Sequence, residues 1–308
     1  MITYLIQRIL FTLPVLFGIT VVVFFVVALI PGDAVAAMMT QIKLDPVQMA
    51  SLRRQLGLDD PLPVQLGRYL ADLAQGDLGR SVFGYRPVRA LIVDNLGATL
   101  QLTLAAILVA MAIGVPLGVL AGVRRNTAWD LGGMLVALAG ISIPGFWLGL
   151  MLIQLFAVNL GWFPITGSGA GLKALVLPAV SLGLAEAAIL ARLTRASMVE
   201  SLQEDYVRTA RAKGLPQRSV VWRHALRGAF IPVVTMLGMQ FGTLLGGAVV
   251  IENVFARQGL GTVVTRAVIN RDAPVVQGVV LTAASLYVLV NLAVDVLYAF
   301  LDPRIRYA

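Results

Sequence analysis

The sequence predicts an all-α integral membrane protein with six transmembrane helices, and three observations carry that expectation. First, 58% of the 308 residues are hydrophobic and only 13% are charged, against roughly 45–50% and about 25% in soluble domains. Such a chain cannot cover a water-facing surface with its polar side chains. Second, its apolar residues fall into six runs long enough for a hydrocarbon core of about 30 Å, which takes about 20 helical residues. Third, the cations gather between alternate runs, as they do in the loops of multi-pass proteins.

The first run is Ile9 to Ile30, closed by Pro31-Gly32-Asp33. Ala34-Val35-Ala36 offers an A-x-A pattern, but a run of this length exceeds the usual signal core of about 7–15 residues, so an uncleaved helix is expected. The other runs are about 98–123, ended by Arg124-Arg125-Asn126; 131–158, containing Pro144-Gly145; 174–193; 230–251; and 276–301. The second and third form a hairpin, since only a few polar residues separate them. Residues 31–97 mix Leu, Arg and Asp with turn signals such as Asp59-Asp60-Pro61 and Gly76-Asp77-Leu78-Gly79, and are expected to form short amphipathic helices capping the bundle. The expected organisation is therefore 1–97 as first helix plus outer segment, 98–301 as the membrane core with a loop at 195–229, and 302–308 as a tail.

Net charge is +8, and 21 of the 24 cations are Arg. A basic balance can mark nucleic-acid binding, but here it follows membrane topology and no nucleic-acid partner is expected. One set of short segments holds Arg8, Arg124, Arg125, eight cations from Arg192 to Arg227, Arg304 and Arg306; the opposite set holds Lys173, Arg257, Arg266 and Arg271. The seven cations of residues 31–97 are balanced there by seven Asp. Positive charge is retained on the cytoplasmic side, so both termini are expected in the cytoplasm.

Much chemistry is excluded. There is no Cys, hence no thiol nucleophile, disulfide or zinc–thiolate site. None of Lys43, Lys173 and Lys213 follows a Gly, so the chain lacks a Gly-Lys-Ser/Thr phosphate loop, and no Ser sits in a G-x-S-x-G elbow. The single imidazole, His224, lies between Arg223 and Arg227 and reads as a loop residue that packs or hydrogen-bonds locally. No enzyme is expected.

The informative segment is Arg192 to Arg227. Ser201-Leu202-Gln203-Glu204 has capping-box spacing, and a helix from there would set Leu202, Tyr206 and Ala210 on one face. Gly214 suits the left-handed position after a helix and Pro216 bars its continuation. Arg211 and Lys213 in the last turn complement the helix dipole. Two uses follow from the residues: a helix lying on anionic lipid, or one docking into a cleft of another protein, for which Ala210 and Gly214 would permit close approach.

The segment Asp205-Tyr206-Val207-Arg208-Thr209-Ala210-Arg211-Ala212-Lys213-Gly214-Leu215 closely resembles the EAA loop of binding-protein-dependent ABC importer permeases, most of all the B-type subunit of the dipeptide/oligopeptide branch. The resemblance spans the chain. It takes in Tyr4 to Arg8, Leu29-Ile30-Pro31-Gly32-Asp33, Gly76-Asp77-Leu78-Gly79-Arg80-Ser81 and Gly161-Trp162-Phe163-Pro164, then Glu252-Asn253-Val254-Phe255, Arg271-Asp272 and the end Leu301 to Tyr307. It implies a type I ABC importer permease fold (MetI-like) in a bacterial inner membrane, moving dipeptides or short oligopeptides by alternating access. Implied partners are a second permease chain, ABC ATPase subunits that bind ATP and magnesium, and an extracytoplasmic solute-binding protein. This chain itself would hold no cofactor. The helix of Ser201–Leu215 would be a coupling helix in a groove of the ATPase, with Glu204, Tyr206, Thr209, Ala210, Arg211, Lys213, Gly214 and Leu215 as contact candidates. The same branch handles glutathione and nickel chelates, so these remain alternative solutes.

Within the bundle, Gly114, Gly118 and Gly122, Gly145 and Gly149, and Gly238, Gly242 and Gly246 recur at four-residue spacing, which permits close helix packing in lipid or lines a seam with a second permease. Ionisable groups in spans are costly. Asp295, with Asn291 one turn before it, reads as a structural network. Glu186 could serve an interhelical hydrogen bond or face the solute pathway and meet a peptide's amino terminus. The rival from another class is a self-sufficient secondary transporter, but no inverted repeat is visible.

Overall fold

The computed structural model describes residues 2–29, 35, 45–55, 57–167 and 171–301. The turn Pro31-Gly32-Asp33, the tail 302–308 and the Asp295 side chain lie outside the described residues. Among those described, β pairing is limited to one antiparallel bridge between Arg80 and Pro87. The helices are α1 (Ile2–Leu29), α2 (Pro46–Gln55), α3 (Leu62–Ala74), α4 (Val88–Val123), α5 (Ala128–Ser142), α6 (Gly145–Asn159), α7 (Lys173–Ser201), α8 (Asp205–Ala212), α9 (Gln217–Val254), α10 (Leu260–Ile269) and α11 (Ala273–Leu301). Of these, α1, α4, α7, α9 and α11 are each long and apolar enough to cross a membrane, and α5 with α6 makes up a sixth, bent candidate.

Three expectations need correction. The run 131–158 is not one straight span: α5 and α6 meet at an angle of 96°. Ile143 is extended (ψ 119) ahead of Pro144, because proline disfavours the α conformation in the residue before it. Helix α4 begins at Val88, ten residues before the expected start, just after Pro87, whose carbonyl accepts from the N–H groups of Ala90 and Leu91. Its 36 residues reach about 54 Å, well beyond a hydrocarbon core. Helices α7 and α9 likewise run past the expected ends of their spans, to Ser201 and back to Gln217. Apolar run length reports membrane thickness, whereas a helix continues into water wherever caps and solvated Arg side chains permit.

Two compact units are distinguishable. One comprises Thr99–Arg257 and the chain from Leu289. Its central helix is α7, 67% buried over its apolar window. Helix α4 packs on α7 along the glycine stripe: a Cβ on Gly114 or Gly118 would lie 2.5 Å from the carbonyl oxygen of Ala187 or Ala191, and one on Gly122 2.8 Å from Met198 Cβ. The stripe of α9 is divided, since Gly238 abuts Val294 while Gly246 has nothing within 4 Å.

The second unit comprises Ile2–Ala98 and Gln258–Val288. Its core joins Val88, Ile92, Leu260, Ala267, Val275 and Val279. The buried carboxylate of Asp272 accepts from the Ser81 hydroxyl and the Val82 N–H, which gives a structural reason for two of the resembling segments. Helix α1 is apolar all round and only 11% buried, as a lipid-facing span should be.

Candidate functional site

Helix α8 starts differently from the capping-box reading. Glu204, in extended conformation, is the N-cap and makes no side-chain cap bond, while Ser201 closes α7. The Ser201 hydroxyl is used elsewhere: its Oγ donates to the Ala225 carbonyl of α9 at 2.7 Å and lies 2.7 Å from Tyr206 Oη. A carbonyl can only accept, so the serine proton is committed to Ala225 and Tyr206 donates to Ser201 Oγ. Gly228 makes room for this contact, since a Cβ there would lie 2.4 Å from the Tyr206 hydroxyl. One tyrosine thus buckles α8 to the end of α7 and the start of α9.

The C-terminus forms as the sequence predicts. Gly214 is left-handed (φ +71), its N–H bonds to the Arg211 carbonyl at 2.9 Å, and the Leu215 N–H reaches the Ala210 carbonyl at 3.4 Å. This is the Schellman pattern, which satisfies carbonyls the helix leaves open.

The contact candidates divide between two faces. Ala210, 4% exposed, turns inward with Val207 and packs among Met198, Val220, Val221 and Ala225. Its small side chain therefore brings α8 close to its own chain, and the flat docking face expected of Ala210 with Gly214 is split. Glu204, Thr209, Arg211, Lys213, Gly214 and Leu215 are exposed, as are Asp205 and Arg208. Tyr206 is 45% exposed although its hydroxyl is engaged with Ser201. The outer face is thus acidic at its start and basic at its end. Asp205 and Arg208, 3.6 Å apart and highly exposed, contribute little to stability.

A second brace, missed in the sequence, lies nearby. Asp130 is buried at the first turn of α5, where it accepts from the Asn126 N–H at 2.9 Å and from Arg195 Nη2 at 2.7 Å, with Arg195 Nε on its other oxygen. The bidentate pair joins the α4–α5 turn to α7. An acidic residue three positions after the N-cap Thr127 was the available signal.

Glu186 is buried in α7. An interhelical hydrogen bond is present there, but it runs from Gln240 Nε2 of α9 to the Glu186 backbone carbonyl at 3.3 Å, not to the carboxylate. Gln240, which the sequence reading overlooked, has its Oε1 buried without a partner among the described residues. Towards the other end of α9, Glu252 is fully buried and accepts from Thr99 Oγ1 at 2.6 Å. His224 is half-buried, and no metal-holding group of side chains occurs among the described residues.

Residues 114–307 match the family described as the binding-protein-dependent transport system inner membrane component, and residues 1–103 match its N-terminal counterpart. The chain is 46% identical to the glutathione transport system permease protein of Salmonella paratyphi A over 307 residues, 100% of each chain. It is 45% identical to that of Escherichia coli K12, again over 100% of each. Among solved structures it is similar to the inward-facing MetNI methionine ABC transporter, with a TM-score of 0.60 at 24% identity, covering 70% of this chain and 97% of that one.

Proposed function

Because the chain belongs to the inner membrane components of binding-protein-dependent transport systems, the permeases of ABC importers, we propose that α8 is its coupling helix and that its solute is a short peptide, glutathione first among the candidates. The observation that carries the coupling role is the buckle of Tyr206, Ser201 and Ala225. Force applied to the exposed face of α8 passes through it to the ends of two spans, rather than being lost in a loop. Thr209, Arg211, Lys213, Gly214 and Leu215 on that face would meet a separate ATPase subunit, which binds ATP and magnesium. Tyr206, Val207 and Ala210 hold the helix in place. The concentration of cations around α8 supports a cytoplasmic position for this loop and for both termini.

Glutathione is preferred over dipeptides because full-length identity to permeases of that transport system is 46%. Dipeptides, short oligopeptides and nickel chelates are the solutes to compare it with. The chain would supply one part of the pathway, a second permease the other, and an extracytoplasmic solute-binding protein would deliver the solute.

The complex purified with its ATPase and reconstituted with its binding protein tests both parts. Glutathione uptake should require ATP and exceed dipeptide uptake, and Arg211→Glu should abolish ATPase recovery on the permease without lowering its thermal stability. A complex that keeps its ATPase with Arg211→Glu and Gly214→Asp combined would overturn the coupling assignment. Uptake of dipeptide in preference to glutathione would overturn the choice of solute and leave the coupling role standing.

A further inference from the structure

The second unit holds a cavity of about 400 Å³, within the range of about 300–1,000 Å³ that suits small ligands. One wall is the last turns of α1, through Phe24, Val27 and Ala28. Phe24 stacks on Tyr69 of α3, with ring centroids 5.9 Å apart and an interplanar angle of 21°. The Tyr69 hydroxyl is buried without a partner among the described residues. Burial pushes its phenol pKa up, so it keeps a proton to donate.

Charges of both signs line the cavity: Arg68, Asp72, Asp77 and Arg271. Two of them are committed: Arg68 pairs with Asp60 at 2.8 Å, and Asp77 accepts from the Gly79 N–H at 2.8 Å. The other two, Arg271 and Asp72, line the same cavity and have no side-chain partner among the described residues. Arg271 is held at a left-handed φ of +56, although the neighbouring Asp272 already accounts for the structural role of this pair. Apolar side chains flank the charges, since Leu62 and Val268 line the cavity and are 39% and 51% exposed.

We propose that this cavity is a binding site for a zwitterionic phospholipid. The phosphate is received by Arg271 and the Tyr69 hydroxyl, the ammonium by Asp72, and the first methylenes lie along Phe24, Val27 and Ala28. A membrane-spanning helix forms the apolar wall at the level where its span ends, which is where a lipid's glycerol and upper chains reside. The apolar wall continues into the exposed Val22, Phe25, Val26 and Leu29 of α1, a surface along which acyl chains can extend and for which a small soluble solute has no counterpart. The site is independent of which solute the transporter carries.

The test uses the intact transporter in nanodiscs of either phosphatidylethanolamine or phosphatidylglycerol, with lipid retained after detergent exchange read by native mass spectrometry. The wild type should retain phosphatidylethanolamine in preference. Arg271→Asn, which removes the charge but tolerates the left-handed backbone, should lower retention about tenfold, the loss of one charge-assisted contact. Asp72→Asn should abolish the preference between the two lipids, and Ala28→Phe should displace lipid with every charge intact. No retained lipid, equal retention of both lipids by the wild type, or displacement of the lipid by free glutathione would each overturn the proposal, the last by making the cavity a solute subsite.

Discussion

Helix α7 presents polar groups at two levels, and the two are treated in opposite ways. Toward its C-terminal end, Arg195 is clasped by Asp130, and Ser201 serves both Tyr206 and Ala225. Further up, Glu186 offers α9 only its backbone carbonyl, while Gln240 Oε1 is buried without a partner among the described residues. A buried polar atom left unpaired costs about 1–3 kcal/mol, and packing on both sides of α7 would have been easier with Leu. The satisfied level fixes where the ends of the spans sit. The unsatisfied level has no such structural role, and a place in the solute pathway is the proposal that the last variants below test.

That contrast breaks most visibly at Ala210. Ala210→Asp places a carboxylate in a position that is 4% exposed, and a buried charge without a partner costs about 3–5 kcal/mol. Thermal unfolding in detergent should show a large loss, and transport should vanish with it. Transport lost at unchanged stability would mean that Ala210 faces a partner after all. Next in size, Asp130→Ala strands Arg195, whose side chain remains 29% exposed, so a loss of about 1–3 kcal/mol is expected, with the ATPase still bound. A smaller effect follows from Tyr206→Phe, which removes one donated hydrogen bond worth about 1 kcal/mol. Its signature is in coupling: ATP hydrolysis should persist while uptake per ATP falls. An unchanged ratio would mean that the buckle transmits nothing.

How much of this was legible in the residues depended on range. Local signals read well: the left-handed Gly214 and the stop at Pro216 are set by a few neighbouring residues, and each apolar run falls on a long apolar helix or, for 131–158, on the bent pair α5 and α6. The six-helix permease fold and the importer family followed from ordered motifs, and family membership replaces the ion-coupled alternative. Long-range pairings did not read. Ser201 looked like a cap because its spacing to Glu204 fits one, but it is still the last helical residue of α7, α8 takes Glu204 as its N-cap, and the serine proton goes to Ala225, 24 residues on. Ala210 looked like a docking residue because a small side chain permits close approach, and nothing local says to whom. The bend at Pro144 was present in the sequence, yet the unbroken apolarity on either side concealed that the run is two helices.

The subtlest variant is also the most discriminating. In Gln240→Leu, the 3.3 Å bond to the Glu186 carbonyl is lost, but so is the unpartnered Oε1, and the two changes oppose each other. Stability should therefore move by no more than about 0.5 kcal/mol, since removing a polar group whose hydrogen bonds are half-made can be nearly neutral. Uptake should nonetheless fall, and Glu186→Gln should reduce it further while leaving the Gln240 bond to the backbone in place. Measured together in the reconstituted transporter, loss of uptake at constant stability would assign this level of α7 to the solute pathway. A drop of more than about 1 kcal/mol for Gln240→Leu, with uptake per folded molecule unchanged, would make Gln240 a structural tie between α7 and α9. The contrast between the two levels would then be one of degree.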